Sequence, residues 1–167
     1  MDKLYAPWRD RYVQNHIRAE HKGACVFCEI FTDTESDEHR FVLYKKNDIA
    51  VMLNLYPYAG GHLLVVPKKH SSEFYELSSF ELSELMQVTA NSMRILKEVL
   101  GCQGINFGAN VGKAAGAGIP DHIHMHIVPR FAGDVGFFTT IGDSKQISVD
   151  LEKIYKQLQP QFKNLNS

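Results

Sequence analysis

Three features of this 167-residue sequence predict an α+β domain. Short apolar segments are joined by turns tight enough for antiparallel pairing. One long run has helical periodicity. No linker or internal repeat divides the chain, so a single domain is expected over residues 1–167, with an N-terminal arm at 1–24 and a C-terminal helical tail at 143–167.

Each element has its own signal. The arm carries Tyr5, Trp8 and Tyr12 and then polar sequence, with a short helix expected near 12–17. Thr32 to Arg40 is acidic and polar and reads as a loop. Phe41–Tyr44 and Ile49–Leu53 read as strands, with Lys45–Asp48 as the turn between them. Tyr56–Gly61 is a loop leading into a strand over His62–Val66, which Pro67 ends because it cannot donate to a ladder. Ser78 and Glu81 form a capping box. Leu82, Leu85, Met86, Thr89, Met93, Leu96 and Leu100 then recur at helical spacing, so a helix spans Ser79–Leu100 and Gly101 closes it. Ile105–Asn110 is a strand, and Gly112–Gly118 is a loop with three glycines and three alanines. A strand beginning at His122 follows. The last helix runs from about Ser148 to Leu158, with Pro160 just beyond its end.

Composition sets limits. Hydrophobic residues make up 44% of the chain and charged residues 22%, the balance of a globular protein with one sizeable core. A net charge of -1 gives no bulk attraction to nucleic acid or to an anionic membrane. No apolar run approaches the roughly 18 residues of a membrane span. Met1 to Arg9 lacks the apolar core of a signal peptide, and three cysteines, two of them in Cys-x-x-Cys, do not form a secreted disulfide framework. The expected location is cytoplasmic, with no nucleic-acid polymer and no membrane as partner.

The most informative run is His122-Ile123-His124-Met125-His126-Ile127-Val128. Side chains at i, i+2 and i+4 of a strand share a face. Three imidazoles then line one surface while Ile123, Met125 and Ile127 bury the other. A lone strand histidine is usually structural. Three at period two are hard to explain by packing, because charging more than one is costly. A neutral imidazole is a nucleophile, a proton carrier and a metal ligand. Cys25-x-x-Cys28 has the spacing of half a tetrahedral zinc site, a redox dithiol, or two buried thiols.

The histidine run, together with Gly61-His62-Leu63-Leu64-Val65-Val66-Pro67, resembles the histidine-triad family of nucleotide hydrolases and transferases. Leu4–Arg9, Cys25–Glu29 and Ala115–Ile119 resemble a bacterial branch similar to diadenosine tetraphosphate phosphorylases. The resemblance covers about Leu4 to Gly142. It implies a histidine-triad fold and cleavage of nucleoside 5′-phosphate derivatives at the α-phosphorus, with dinucleoside polyphosphates as favoured substrates. It implies His124 as nucleophile, with His126 and His62 completing the catalytic cluster. It also implies Asn54, eight residues before His62 where the family places Asn or Asp, as a ribose ligand. The turn-forming role of an Asn at a strand end is the plain alternative. Asn110 and the backbone around Gly116 and Gly118 are candidate phosphate contacts.

In zinc-carrying relatives a histidine at the position of His70 and the first triad histidine complete the metal site. The implied ligands of a structural Zn²⁺ are therefore Cys25, Cys28, His70 and His122, with no cofactor required for catalysis. Relatives are commonly homodimers, and a homodimer acting on a small-molecule nucleotide is expected. A purine nucleoside phosphoramidase, a general nucleotide hydrolase and a low-turnover nucleotide-binding module are the alternatives. The chain departs from the family pattern at Gly118, where many members carry Gln or Ser. After the triad it departs from the branch at Phe131 and Gly136, where Trp and Asn are usual.

Overall fold

The computed structural model describes residues 25–33, 37–134 and 150–165. The helix expected near 12–17 lies outside them. Eight elements follow in order: α1 (Val26–Thr32), β1 (Val42–Lys46), β2 (Ile49–Leu53), β3 (Leu63–Pro67), α2 (Ser79–Leu100), β4 (Gly104–Gly108), β5 (Met125–Arg130) and α3 (Leu151–Leu165). The strands form one antiparallel sheet in the order β1-β2-β3-β5-β4. This is the α+β arrangement the sequence predicts.

The β1–β2 hairpin is shorter at its turn than expected. Lys45 and Lys46 belong to β1, and only Asn47 and Asp48 make the turn, with Asn47 at φ 52. Asn tolerates this left-handed conformation, which suits the twist of a two-residue hairpin. Phe41 precedes β1 at φ 56 rather than opening the strand. Pro67 stays within β3, paired with Ile49.

The sheet has two covered faces. Leu43, Ile49, Val51, Leu53, Leu63, Val65, Ile123, Met125 and Ile127 pack with α2 and α3. Val42, Ala50, Met52, Leu64 and Val66 form a smaller cluster with Phe27 and Ile30 of α1 on the opposite side. All five side chains of β2 and of β3 are buried, as in a strand covered on both faces. The capping box of α2 is present, with Ser78 accepting from the Glu81 N–H and Glu81 accepting from the Ser78 N–H. Gly101 closes the helix in the left-handed conformation, at φ 66.

Three expectations need correction. β4 ends at Gly108 rather than Asn110, and the regular strand β5 starts at Met125, leaving His122 and His124 in the extended approach to it. The C-terminal helix continues through Pro160 to Leu165 instead of stopping at Leu158. Tyr155, Leu158 and Phe162 are all buried in the core, so packing beyond the proline offsets the missing N–H. Asp150 Oδ1 accepts from the Lys153 N–H, and the helix begins at Leu151.

Candidate active site

The period-two alternation holds at its chemical level. Ile123, Met125 and Ile127 enter the large core, while the three imidazoles face the α1 side. His62 joins them from the start of β3, because antiparallel pairing sets Leu64 against His126 and Leu63 against Ile127. His62 and His126 rings lie 5.2 Å apart, and His124 and His126 rings 4.9 Å apart.

Backbone partners fix the tautomers of His122, His124 and His62, and His62 in turn fixes that of His126. The His122 carbonyl accepts from His124 Nδ1 at 2.9 Å. His124 Nδ1 therefore carries the proton, and Nε2 keeps a lone pair. The Pro67 carbonyl accepts from His122 Nε2 at 2.8 Å, which leaves the His122 Nδ1 lone pair facing the two cysteines. The Tyr58 backbone N–H donates to His62 Nδ1 at 3.0 Å. His62 Nε2 thus carries a proton and donates to His126 Nδ1 at 3.0 Å. His126 must hold its own proton at Nε2. Among the described residues that atom is buried and has no hydrogen-bond partner. A buried unpaired donor is costly; here it is an N–H ready for an oxygen of a ligand.

Burial keeps these rings neutral. Loss of hydration pushes His62 down to about 3, with the His126 and His124 rings adding to the effect. It pushes His126 down to about 4, again with His124 contributing. Burial lowers His124 as well, against the opposing effect of its bond to the His122 carbonyl. A neutral ring with a free Nε2 is the nucleophilic form of imidazole.

The four expected metal ligands also come together. Cys25 Sγ and Cys28 Sγ lie 3.3 and 3.6 Å from His122 Nδ1, and Cys28 Sγ lies 3.3 Å from His70 Nδ1. All four ligand atoms are within 4.8 Å of one another. Tetrahedral zinc with N and S ligands sets such atoms about 3.5 Å apart. The donor set, the spacing and the Pro67 carbonyl that orients His122 all fit a closed zinc site.

Asn54 is buried beside His62. Its Oδ1 accepts from the Tyr56 N–H at 2.9 Å, and its Nδ2 lies 3.3 Å from His62 Nδ1. Asn110 follows β4, whose last residue Gly108 pairs with His126, so the chain leaves the sheet toward the His124 end. Gly116 and Gly118 lie in the exposed turn beyond it; Gly116 has φ +87, and a Cβ at either glycine would meet open space. Two contributors were not singled out from the sequence. The Phe27 ring packs on His122 and His124 at 5.4 and 4.9 Å, and the Tyr58 ring lies on His62 at 4.7 Å. Phe27 stands between the two cysteines in the chain, and that adjacency was the available signal. Nothing in the local sequence marks Tyr58.

The chain is similar to known proteins. A family model for the HIT domain matches residues 35–133. The chain is 37% identical over 150 residues to an AP-4-A phosphorylase of Mycobacterium tuberculosis, covering 88% of this chain and 77% of that one. It is 31% identical over 93 residues to an asymmetrical bis(5'-nucleosyl)-tetraphosphatase of Schizosaccharomyces pombe, covering 56% of this chain and 50% of that one. A Zn-bound histidine triad family protein from Mycobacterium smegmatis has a TM-score of 0.69 at 28% identity, covering 86% of this chain and 96% of that one. The chain belongs to the HIT domain family, and it is an enzyme of the family's nucleotide hydrolase and transferase class. Among the described residues no helix is long and apolar enough to cross a membrane.

Proposed function

We propose that this enzyme cleaves dinucleoside polyphosphates at an α-phosphorus through a covalent nucleotidyl-His124. One observation carries the reading: His124 Nδ1–H is committed to the His122 carbonyl, so the Nε2 lone pair is left to attack. The M. tuberculosis relative, named an AP-4-A phosphorylase, supports the substrate class.

In the first step an N–P bond forms at His124 Nε2 as the bond to the departing phosphate chain breaks. The buried His126 Nε2–H donates to an oxygen of the departing group and stabilises its developing charge. In the second step an oxygen of phosphate or water attacks the phosphorus, the N–P bond breaks, and the electron pair returns to His124. Splitting one displacement into two lowers the barrier of each. Asn54 is proposed to meet the ribose, and Asn110 with the Gly116 and Gly118 backbone to meet phosphate oxygens.

Cys25, Cys28, His70 and His122 are proposed to hold a structural Zn²⁺. When bound, the ion cross-links α1, the segment after β3 and the approach to β5. The proposed working form is a homodimer acting on a free nucleotide, and sedimentation measures the assembly state.

Incubation with diadenosine tetraphosphate, with and without inorganic phosphate, tests the reading. ADP plus ATP formed only with phosphate is the expected result and defines a phosphorylase. AMP plus ATP without phosphate would make water the acceptor. No nucleotide product under either condition would overturn the proposal.

A further inference from the structure

Two aromatic rings cover the imidazole cluster, and they differ in what they leave open. Phe27 packs on His122 and His124 and is 3% exposed. It closes the end that holds the metal ligands and the nucleophile. The Tyr58 ring lies 4.7 Å from the His62 ring and 6.0 Å from the His126 ring, at 20° to the latter. It covers the imidazole that carries the unpaired Nε2–H, yet it is 51% exposed. Among the described residues no other ring packs on it.

A single exposed aromatic is ordinary on a protein surface. Tyr58 is distinguished by how firmly it is held and by where. Asn54 Oδ1 accepts from the Tyr56 N–H, His62 Nδ1 accepts from the Tyr58 N–H, and the Ala59 carbonyl accepts from the His62 N–H. Pro57 fixes φ between the two tyrosines. Asn54, Ala59 and His62 on either side are buried. A tyrosine ring has only two torsions, so one already packed against two imidazoles receives a planar partner at small entropic cost. A rigid, half-exposed aromatic face beside a phosphate site is a stacking platform for a nucleobase.

We propose that the outer face of Tyr58 is a subsite for the second nucleobase of a dinucleoside polyphosphate, the base that leaves with the departing phosphate chain. This inference rests on the proposed attack of His124 at an α-phosphorus, with His126 donating to the departing oxygen. The ring contacts of Tyr58 are with His126 and His62 rather than with His124, which sets it on the departing side. A base stacked beyond Tyr58 adds about 3.5 Å to the 6.0 Å between its ring and that of His126. The phosphate chain and ribose of a departing nucleotide bridge that span. Stacking reads a π-face and not a hydrogen-bond pattern, so the second base need not be adenine. A nucleoside phosphoramidate carries no second base and gains nothing from this face. Tyr58 therefore favours dinucleoside polyphosphates over phosphoramidates at the same reacting histidines.

Diadenosine tetraphosphate and adenosine 5′-tetraphosphate present the same AMP to His124 and differ in the second adenosine. Any disturbance of the imidazoles by a Tyr58 substitution acts on both, so the ratio of their kcat/KM values isolates the subsite. Wild type is expected to favour diadenosine tetraphosphate. In Tyr58→Leu that ratio is expected to fall about tenfold, the size of one base–aromatic stack, while Tyr58→Trp keeps it. An unchanged ratio in Tyr58→Leu, the result for a ring that only covers His62 and His126, would overturn the proposal. A second readout needs neither turnover nor a Tyr58 variant. In the His124→Ala protein with diadenosine tetraphosphate, nuclear Overhauser contacts are expected between the Tyr58 ring protons and an adenine, and their absence would also overturn it. Failure of wild type to turn over either substrate would instead count against the proposed function, with the Overhauser contacts still deciding the subsite.

Discussion

His124, His126 and His62 differ in their proposed roles because each ring nitrogen has a different partner. A carbonyl takes the proton of His124 Nδ1, and an amide N–H occupies His62 Nδ1. The first triad histidine uses Nε2 for a carbonyl and Nδ1 for the cysteine pair. The depressed values at His62 and His126 have a consequence for stability. The unfolded chain takes up protons on these rings near 6.5, but the folded protein refuses them until about 3 and about 4. The unfolded state therefore binds more protons across that window, and stability rises with pH there. The contribution is complete above 6.5 and is lost as pH falls toward 4. Thermal melts at about pH 7.5 and about pH 5 should show the lower melting temperature in acid, and His62→Gln should narrow the gap. An unchanged gap in that variant would show that His62 is not responsible. The identity of the imidazole face was legible in the sequence because period two survives translation into a strand. The His62–His126 bond was not, since it depends on β3 lying next to β5 in one register.

At the scale of elements, short signals were the hardest to read. α1 has only seven residues, too few for a helical period to show, and the Cys-x-x-Cys spacing at its start is a metal signal rather than a helix signal. The capped helix α2 was readable end to end because a capping box, a long apolar period and a glycine agree. Two substitutions measure these elements. Gly61 has φ +88, and a Cβ there would come 2.5 Å from Leu100 Cδ1 and 3.3 Å from Pro129 Cγ. Gly61→Ala is expected to cost about 1–3 kcal/mol in denaturant unfolding, from strain and overpacking together. Ser78→Ala removes the acceptor for the Glu81 N–H and should cost about 1 kcal/mol. If Gly61→Ala were as stable as wild type, the close approach of the β3 entry to the C-terminal end of α2 would be wrong.

Across the whole molecule, the sheet separates two layers with different tasks. α2 and α3 close the large core on one face. On the other face α1 brings Cys25, Cys28 and Phe27 onto the imidazoles. The α+β class followed from the sequence because its short apolar segments are joined by turns that suit antiparallel pairing, and every hydrogen-bonded pair in the sheet is antiparallel. The second, smaller core was not foreseen, because its members alternate with those of the first along the same strands. If zinc holds α1 in place, its removal loosens that layer as a unit. A strong chelator should lower the melting temperature by about 5 °C or more, reversed by added Zn²⁺. The Cys28→Ser protein should melt low and lose the response. Metal analysis showing no zinc in freshly purified protein would contradict the assignment.

The claim on which the functional account turns is a covalent bond between His124 and the α-phosphorus. Rapid acid-free quenching of the enzyme with diadenosine tetraphosphate, followed by intact-protein and peptide mass spectrometry, addresses it most directly. The account predicts one added AMP per chain, located on His124, formed in wild type and absent from a folded but inactive His124→Ala variant. Full turnover by His124→Ala, or an adduct on another residue, would contradict it.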